Sequence, residues 1–144
     1  MMLSAADRAA AFRKTRRANL TEVSEDYVEL IGDLIAQQGE ARLTDVAERL
    51  GVTQATASKV VARLRREGLV ENKPYRSIFL TDSGREMADA SRERHRIVFE
   101  FLLALELEEA VAHADSEGIE HHVSEATLVK LQELTATLRQ SDRQ

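Results

Sequence analysis

Apolar residues return at helical intervals along most of this chain, and where the interval changes a different element is expected. In "SEDYVELIGDLIAQQG", Tyr27, Val28, Ile31, Leu34 and Ile35 share one face of a helix, with Ser24 suited to the N-cap and Gly39 to the stop. "LTDVAERLG" reads as a short second helix, capped by Thr44 and ended by Gly51. "VTQATASKVVARLRREG" reads as a third, with Thr53 at the N-cap, Val60, Val61 and Leu64 in its apolar stripe and Gly68 at its end. The period then drops to two. "LVENKPYRSIFLT" alternates about a turn at Pro74 and predicts a β-hairpin. From Asp82 or Ser83 the helical period resumes in "DSGREMADASRERHRIVFEFLLALEL", where Glu86 is placed for a capping box. Two more helices are expected, from Glu108 to about Glu117 and from Ser124 to about Gln140.

This order predicts a mainly α fold with a small β-hairpin. A winged helix-turn-helix occupies residues 24–81, and a helical second domain follows at 82–144, begun by the long helix that joins them. Residues 1–23 form a basic N-terminal arm, either helical or mobile. The length of 144 residues suits one domain or two small ones sharing a core. A 43% hydrophobic and 31% charged composition with one Pro belongs to a folded chain. No apolar run approaches a membrane span, and the first 20 residues lack the apolar core of a signal peptide. There is no Cys for a disulfide or a thiolate ligand. A cytoplasmic protein is expected, with neither a membrane nor an organic substrate as partner.

The net charge of −5 argues against a nucleic-acid partner until it is resolved along the chain. Residues 1–19 carry five bases and one acid, residues 20–40 six acids and no base, residues 41–80 eight bases and four acids, and residues 81–144 seven bases and fourteen acids. Local rather than total charge decides whether a surface meets phosphate. The basic middle segment coincides with the helix-turn-helix. Small side chains at the start of its third helix allow close approach to base edges, where Gln54, Thr56, Ser58 and Lys59 offer hydrogen-bonding groups. Arg63, Arg65 and Arg66 lie further along, within reach of phosphates. The hairpin tip adds Lys73, Tyr75 and Arg76. Alone, the run from Arg63 to Glu67 would pass for a solvated helix face; beside a basic hairpin it points to duplex DNA.

The remaining chemistry is concentrated in "DSEGIEHHVSEAT". Glu117, Glu120 and His121 are spaced i, i+3, i+4 and face one way on a helical turn. Carboxylate and imidazole together suit divalent first-row metals, but three ligands rarely complete a site. Asp26 and Glu29, spaced i, i+3, are one source of partners; otherwise they are ordinary acids at a helix start. His95 is another, set in the apolar series Met87, Ser91, His95, Val98, Leu102, Leu105, where a histidine is more often a satisfied core residue.

Taken in order, "EDYVELI", "ARLTDVAERLGVTQATASKVVARL", "FLTDSGREMA", "RERHRIVFEFL" and "EGIEHHVSE" resemble the manganese-dependent transcriptional regulators of the diphtheria-toxin-repressor family, over roughly residues 24–140. The resemblance implies a homodimeric repressor of manganese uptake that binds operator DNA when metal is bound. It implies Asp26, Glu29, His95, Glu117, Glu120 and His121 as metal ligands, and leaves His122 outside them, as it does Asp33, His113 and Glu125. Iron-sensing members use a Met and a Cys where this chain has Asp26 and Glu117. Hard carboxylates in place of sulfur favour Mn2+, and four of them can bridge two ions per subunit, while Fe2+, Zn2+ and Cd2+ remain chemically admissible.

On this reading metal occupancy restrains the two heads of a dimer so that their spacing matches two half-sites. The apolar stripe of "SEATLVKLQELTATL", with Leu128, Leu131, Leu134 or Thr135, and Leu138, supplies dimer surface or an internal core. Two other function classes compete. A binuclear carboxylate–histidine site can activate water in a hydrolase, but no cleft-forming sheet is expected here. A winged-helix regulator sensing an organic ligand would leave the matched acids merely structural. An iron-responsive regulator is the rival within the same class.

Overall fold

The computed structural model describes residues 2–73 and 77–143, excepting the side chain of Lys73. Nine elements follow one another: α1 (Ala5–Gln38), β1 (Ala41–Arg42), α2 (Leu43–Leu50), α3 (Gln54–Arg66), β2 (Val70–Lys73), β3 (Ser77–Leu80), α4 (Asp82–Ala104), α5 (Glu109–Ile119) and α6 (Glu125–Asp142). They form two compact units, Glu22–Ser91, and Met1–Thr21 with Arg92–Gln144. Helices α1 and α4 contribute residues to both.

In the Glu22–Ser91 unit the core is built from Val28, Ile31 and Leu34 of α1, Val46 of α2, Val61 and Leu64 of α3, and Val70, Ile78 and Leu80 of the strands. Burying each such side chain stabilises the unit by about 1.5–3 kcal/mol. The turn between α2 and α3 is made by Gly51 at φ 67, a left-handed conformation that favours glycine. The amides of Gly51 and Val52 close it by donating to the carbonyls of Glu48 (3.2 Å) and Ala47 (3.0 Å). Thr53 then caps α3, its hydroxyl accepting from the Thr56 amide at 3.1 Å. The hairpin strands β2 and β3 pair antiparallel with Val70 opposite Leu80 and Lys73 opposite Ser77. β1 pairs with the other edge of β3, so the sheet has three strands in the order β1-β3-β2. The expected turn at Pro74 lies outside the described residues.

Three expected helix caps are corrected. Ser24 is not an N-cap, because α1 runs unbroken through it from Ala5. The residues before it are mostly Ala, Arg and other good helix formers, so nothing stops the helix there. Ser4 caps it instead, accepting from the Asp7 amide at 3.1 Å. Ser24 is buried, and its hydroxyl accepts from Arg63 Nη2 at 3.2 Å. At α4 the capping group is Thr81. Its hydroxyl accepts from the Gly84 amide (3.1 Å) and donates to the Gly68 carbonyl (2.6 Å), which ties the helix start to the end of α3. In α2, Arg42 occupies the N-cap position without a side-chain capping bond, and Thr44 lies within the helix.

The second unit packs Ile97, Val98 and Leu102 of α4 against Ala112 of α5 and Leu128 of α6, with Phe99, Phe101, Leu103, Val123 and Leu131 at the margin. Thr135 is also buried and Leu134 is 45% exposed, so the α6 stripe turns its Leu128–Thr135 side inward and leaves Leu134 outside. Among the described residues no helix is long and apolar enough to cross a membrane.

Candidate metal centre and nucleic-acid interface

Helix α4 carries His95 and the end of α5 carries Glu117 and Glu120, and the fold brings all three together. One ligand atom from each lies within 4.8 Å of the other two. His95 Nδ1 is 3.1 Å from Glu120 Oε2 and 3.7 Å from Glu117 Oε1. The other Glu120 oxygen is 3.5 Å from His121 Nε2. The side chains differ sharply in access to water: Glu120 is 2% exposed, His121 1%, His95 22% and Glu117 64%. A carboxylate enclosed in this way needs compensating charge or a cation, because removing an ionised group from water costs several kcal/mol. Imidazole nitrogens beside both of its oxygens, an exposed second carboxylate and no sulfur make a donor set that fits a divalent first-row metal.

Two features hold this cluster in shape, and neither was read from the sequence. Arg94 Nε donates to the Glu120 carbonyl at 2.9 Å, and its Nη2 reaches the Val123 carbonyl at 3.5 Å, fastening the turn that follows α5. The rings of His95, Phe99 and His113 stack as a triangle, with centroids 5.8 Å apart for His95–Phe99, 4.2 Å for Phe99–His113 and 6.2 Å for His95–His113. His113, which the resemblance left outside the ligands, thus packs against His95 both directly and through Phe99. No sequence signal marks Arg94, because its acceptors are main-chain atoms 26 and 29 residues away. His122 is half-buried beside the fully enclosed His121.

Asp26 and Glu29 lie on α1 in the Glu22–Ser91 unit, both half-buried. Glu29 Oε2 accepts from the hydroxyl of Ser91 at 2.9 Å. Glu22, one helical turn before Asp26, places a carboxylate oxygen within 4.8 Å of an Asp26 oxygen. The reading of the sequence passed over Glu22, although its i, i+4 spacing to Asp26 was available as a signal.

The same unit presents α3. Gln54, Thr56, Ser58 and Lys59 are exposed along its first turns, while Ala57 beneath them is buried. Arg65 and Arg66 are exposed. Arg63 is half-buried; besides bonding Ser24 it lies 3.4 Å from Glu67, and its charge partly offsets the rise that burial imposes on the Tyr27 hydroxyl pKa. Lys73 ends β2, and nothing is described of its side chain; Tyr75 and Arg76 lie outside the described residues.

Known proteins resemble this chain over most of its length. Residues 19–78 match the family model "Iron dependent repressor, N-terminal DNA binding domain" and residues 81–143 match "Iron dependent repressor, metal binding and dimerisation domain". The chain is 53% identical over 117 residues to a "Transcriptional regulator MntR" of Escherichia coli O6:H1, covering 81% of this chain and 76% of that one. It is 32% identical to an "HTH-type transcriptional regulator MntR" of Lysinibacillus sphaericus, covering 84% and 87%. Among solved structures, one described as a manganese-dependent transcriptional repressor complex with manganese superposes with a TM-score of 0.71 at 31% identity, over 78% of this chain and 52% of that one. The manganese regulator SloR gives 0.70 at 27% identity, over 77% and 52%. The chain therefore spans about half the length of those two solved chains.

Proposed function

The chain belongs to the iron dependent repressor family of metal-dependent, DNA-binding transcriptional regulators, and from that premise we propose that it is a repressor of manganese uptake genes activated by Mn2+. It is a regulator, not an enzyme. One structural observation carries the metal reading: Glu120, nearly sealed from water, lies between the imidazoles of His95 and His121 with Glu117 alongside. Similarity to proteins described as manganese regulators supports Mn2+ over iron, as does the absence of any thiol.

The proposed ligands are Asp26, Glu29, His95, Glu117, Glu120 and His121. Asp26 and Glu29 enter on the family resemblance and their carboxylate chemistry. A bound cation supplies the positive charge that lets four carboxylates act together, and we assign two Mn2+ ions per subunit. Residues 24–81 read DNA, residues 82–144 bind metal and form the homodimer, and residues 1–23 are an arm. Gln54, Thr56, Ser58 and Lys59 face base edges. Arg63, Lys73, Tyr75 and Arg76 contact or flank phosphates of a double-stranded operator.

The test is promoter binding titrated with Mn2+, Fe2+ and Zn2+ for the native chain and for Glu117→Ala. Mn2+ should tighten native binding by about 5–150-fold, the usual range for coupling between two sites. Glu117→Ala should need far more Mn2+ for the same effect. Affinity unchanged by Mn2+ and by chelator would overturn the proposal, and a response to Fe2+ alone would make iron the effector.

A further inference from the structure

The first four turns of α1 carry Arg8, Arg13, Lys14, Arg16 and Arg17, and all five side chains are exposed. None of them makes an ion pair among the described residues. All precede the residues matched by the DNA-binding family model, which begin at 19. Their placement works against the helix. The helix dipole opposes a cation only near the first turn, so it bears on Arg8 beside Asp7 and not on residues 13–17. The pairs Arg13–Arg16, Lys14–Arg17 and Arg13–Arg17 set like charges at i, i+3 and i, i+4, where they repel. Such a segment is relieved by a polyanion. At about 100° per residue Arg13, Lys14 and Arg17 lie on one side with Arg16 at its edge, whereas Arg8 faces the opposite way.

We propose that the basic face of α1 formed by Arg13, Lys14, Arg16 and Arg17 is a docking surface for the phosphate backbone of duplex DNA, independent of base sequence and additional to α3 and the hairpin. The partner rests on the DNA-binding function described above. An anionic membrane fits less well. The exposed apolar positions Phe12 and Leu20 are separated by Arg16, four residues from each, and most of the other residues are Ala or polar. An interfacial helix needs a continuous apolar face.

The experiment compares the full native chain with the quadruple variant Arg13→Ala, Lys14→Ala, Arg16→Ala, Arg17→Ala, which keeps helix-forming residues throughout. Binding is measured to a random-sequence duplex several helical turns long, with chelator present, between about 50 and 200 mM salt. The slope of log affinity against log salt should lose roughly two to four in magnitude, since each phosphate contact contributes about 0.9. Affinity at the lowest salt should fall about ten-fold or more, and Mn2+ affinity should not change. Equal slopes for the two proteins would overturn the proposal. So would equal slopes accompanied by loss of binding to anionic phosphatidylglycerol vesicles, which would make a membrane the partner. Because this duplex is random and metal-free, the result is independent of whether Mn2+ governs operator binding. Loss of the metal response alone would overturn the proposed function and leave the arm's contact standing.

Discussion

Gly84 and Glu120 show two ways in which one side chain governs more than itself. A Cβ built on Gly84 would collide with the main-chain oxygen of Leu69, which already accepts from the Thr81 amide at 3.1 Å. The glycine is there for closeness, not flexibility. Gly84→Ala should destabilise the Glu22–Ser91 unit by about 1–3 kcal/mol, as overpacking does, measured by denaturant unfolding. Glu120 should be the most sensitive of the proposed ligands, because its enclosed carboxylate stands beside two imidazoles. Outer-shell changes cost metal affinity about 10–100-fold, and Glu120→Ala should cost at least the upper figure in a competition with chelator. The grouping of Glu120 with Glu117 and His121 was legible from their helical spacing. The need for Gly84 was not, since it depends on a carbonyl fifteen residues back in the chain.

At the scale of elements, the strongly periodic stretches were legible and the short or unperiodic ones were not. Helices α2, α3 and α4 and the pair β2–β3 lie where the spacing of apolar residues put them. The two-residue strand β1 was missed because so short a segment shows no period, and it exists only through its pairing with Ile78 and Ser77. The first five turns of α1 were left open between helix and mobile arm, since their helicity comes from Ala and Arg propensity and not from an apolar stripe. The turn after α5 depends on Arg94 in place of any pattern of its own. Arg94→Ala should therefore speed amide exchange across residues 120–124 and weaken metal binding about ten-fold, while Arg94→Lys restores neither in full because a point charge cannot span both carbonyls. Exchange and affinity both unchanged would show that the guanidinium is dispensable.

For the whole molecule, family membership and the fold class follow from motif order, whereas the composition of the two units does not. Continuous helices α1 and α4 cross from one unit to the other, and no change of composition marks the crossing. The homodimer should appear as a sedimentation mass twice that of the chain, drawing on apolar surface such as Val111, Val129 and Leu134, each more than two-fifths exposed. The sealed position of Glu120 has a further consequence, in time rather than affinity. If Glu120 holds a metal as proposed, its carboxylate would release the ion and meet water only when the turn that Arg94 fastens opens. Metal release should therefore follow the opening rate of that turn and be insensitive to how much chelator waits outside, which stopped-flow mixing over a range of chelator concentrations would reveal as a plateau. With such a plateau, a regulator would keep a short memory of the metal it has met, persisting through brief scarcity and yielding only to a sustained one.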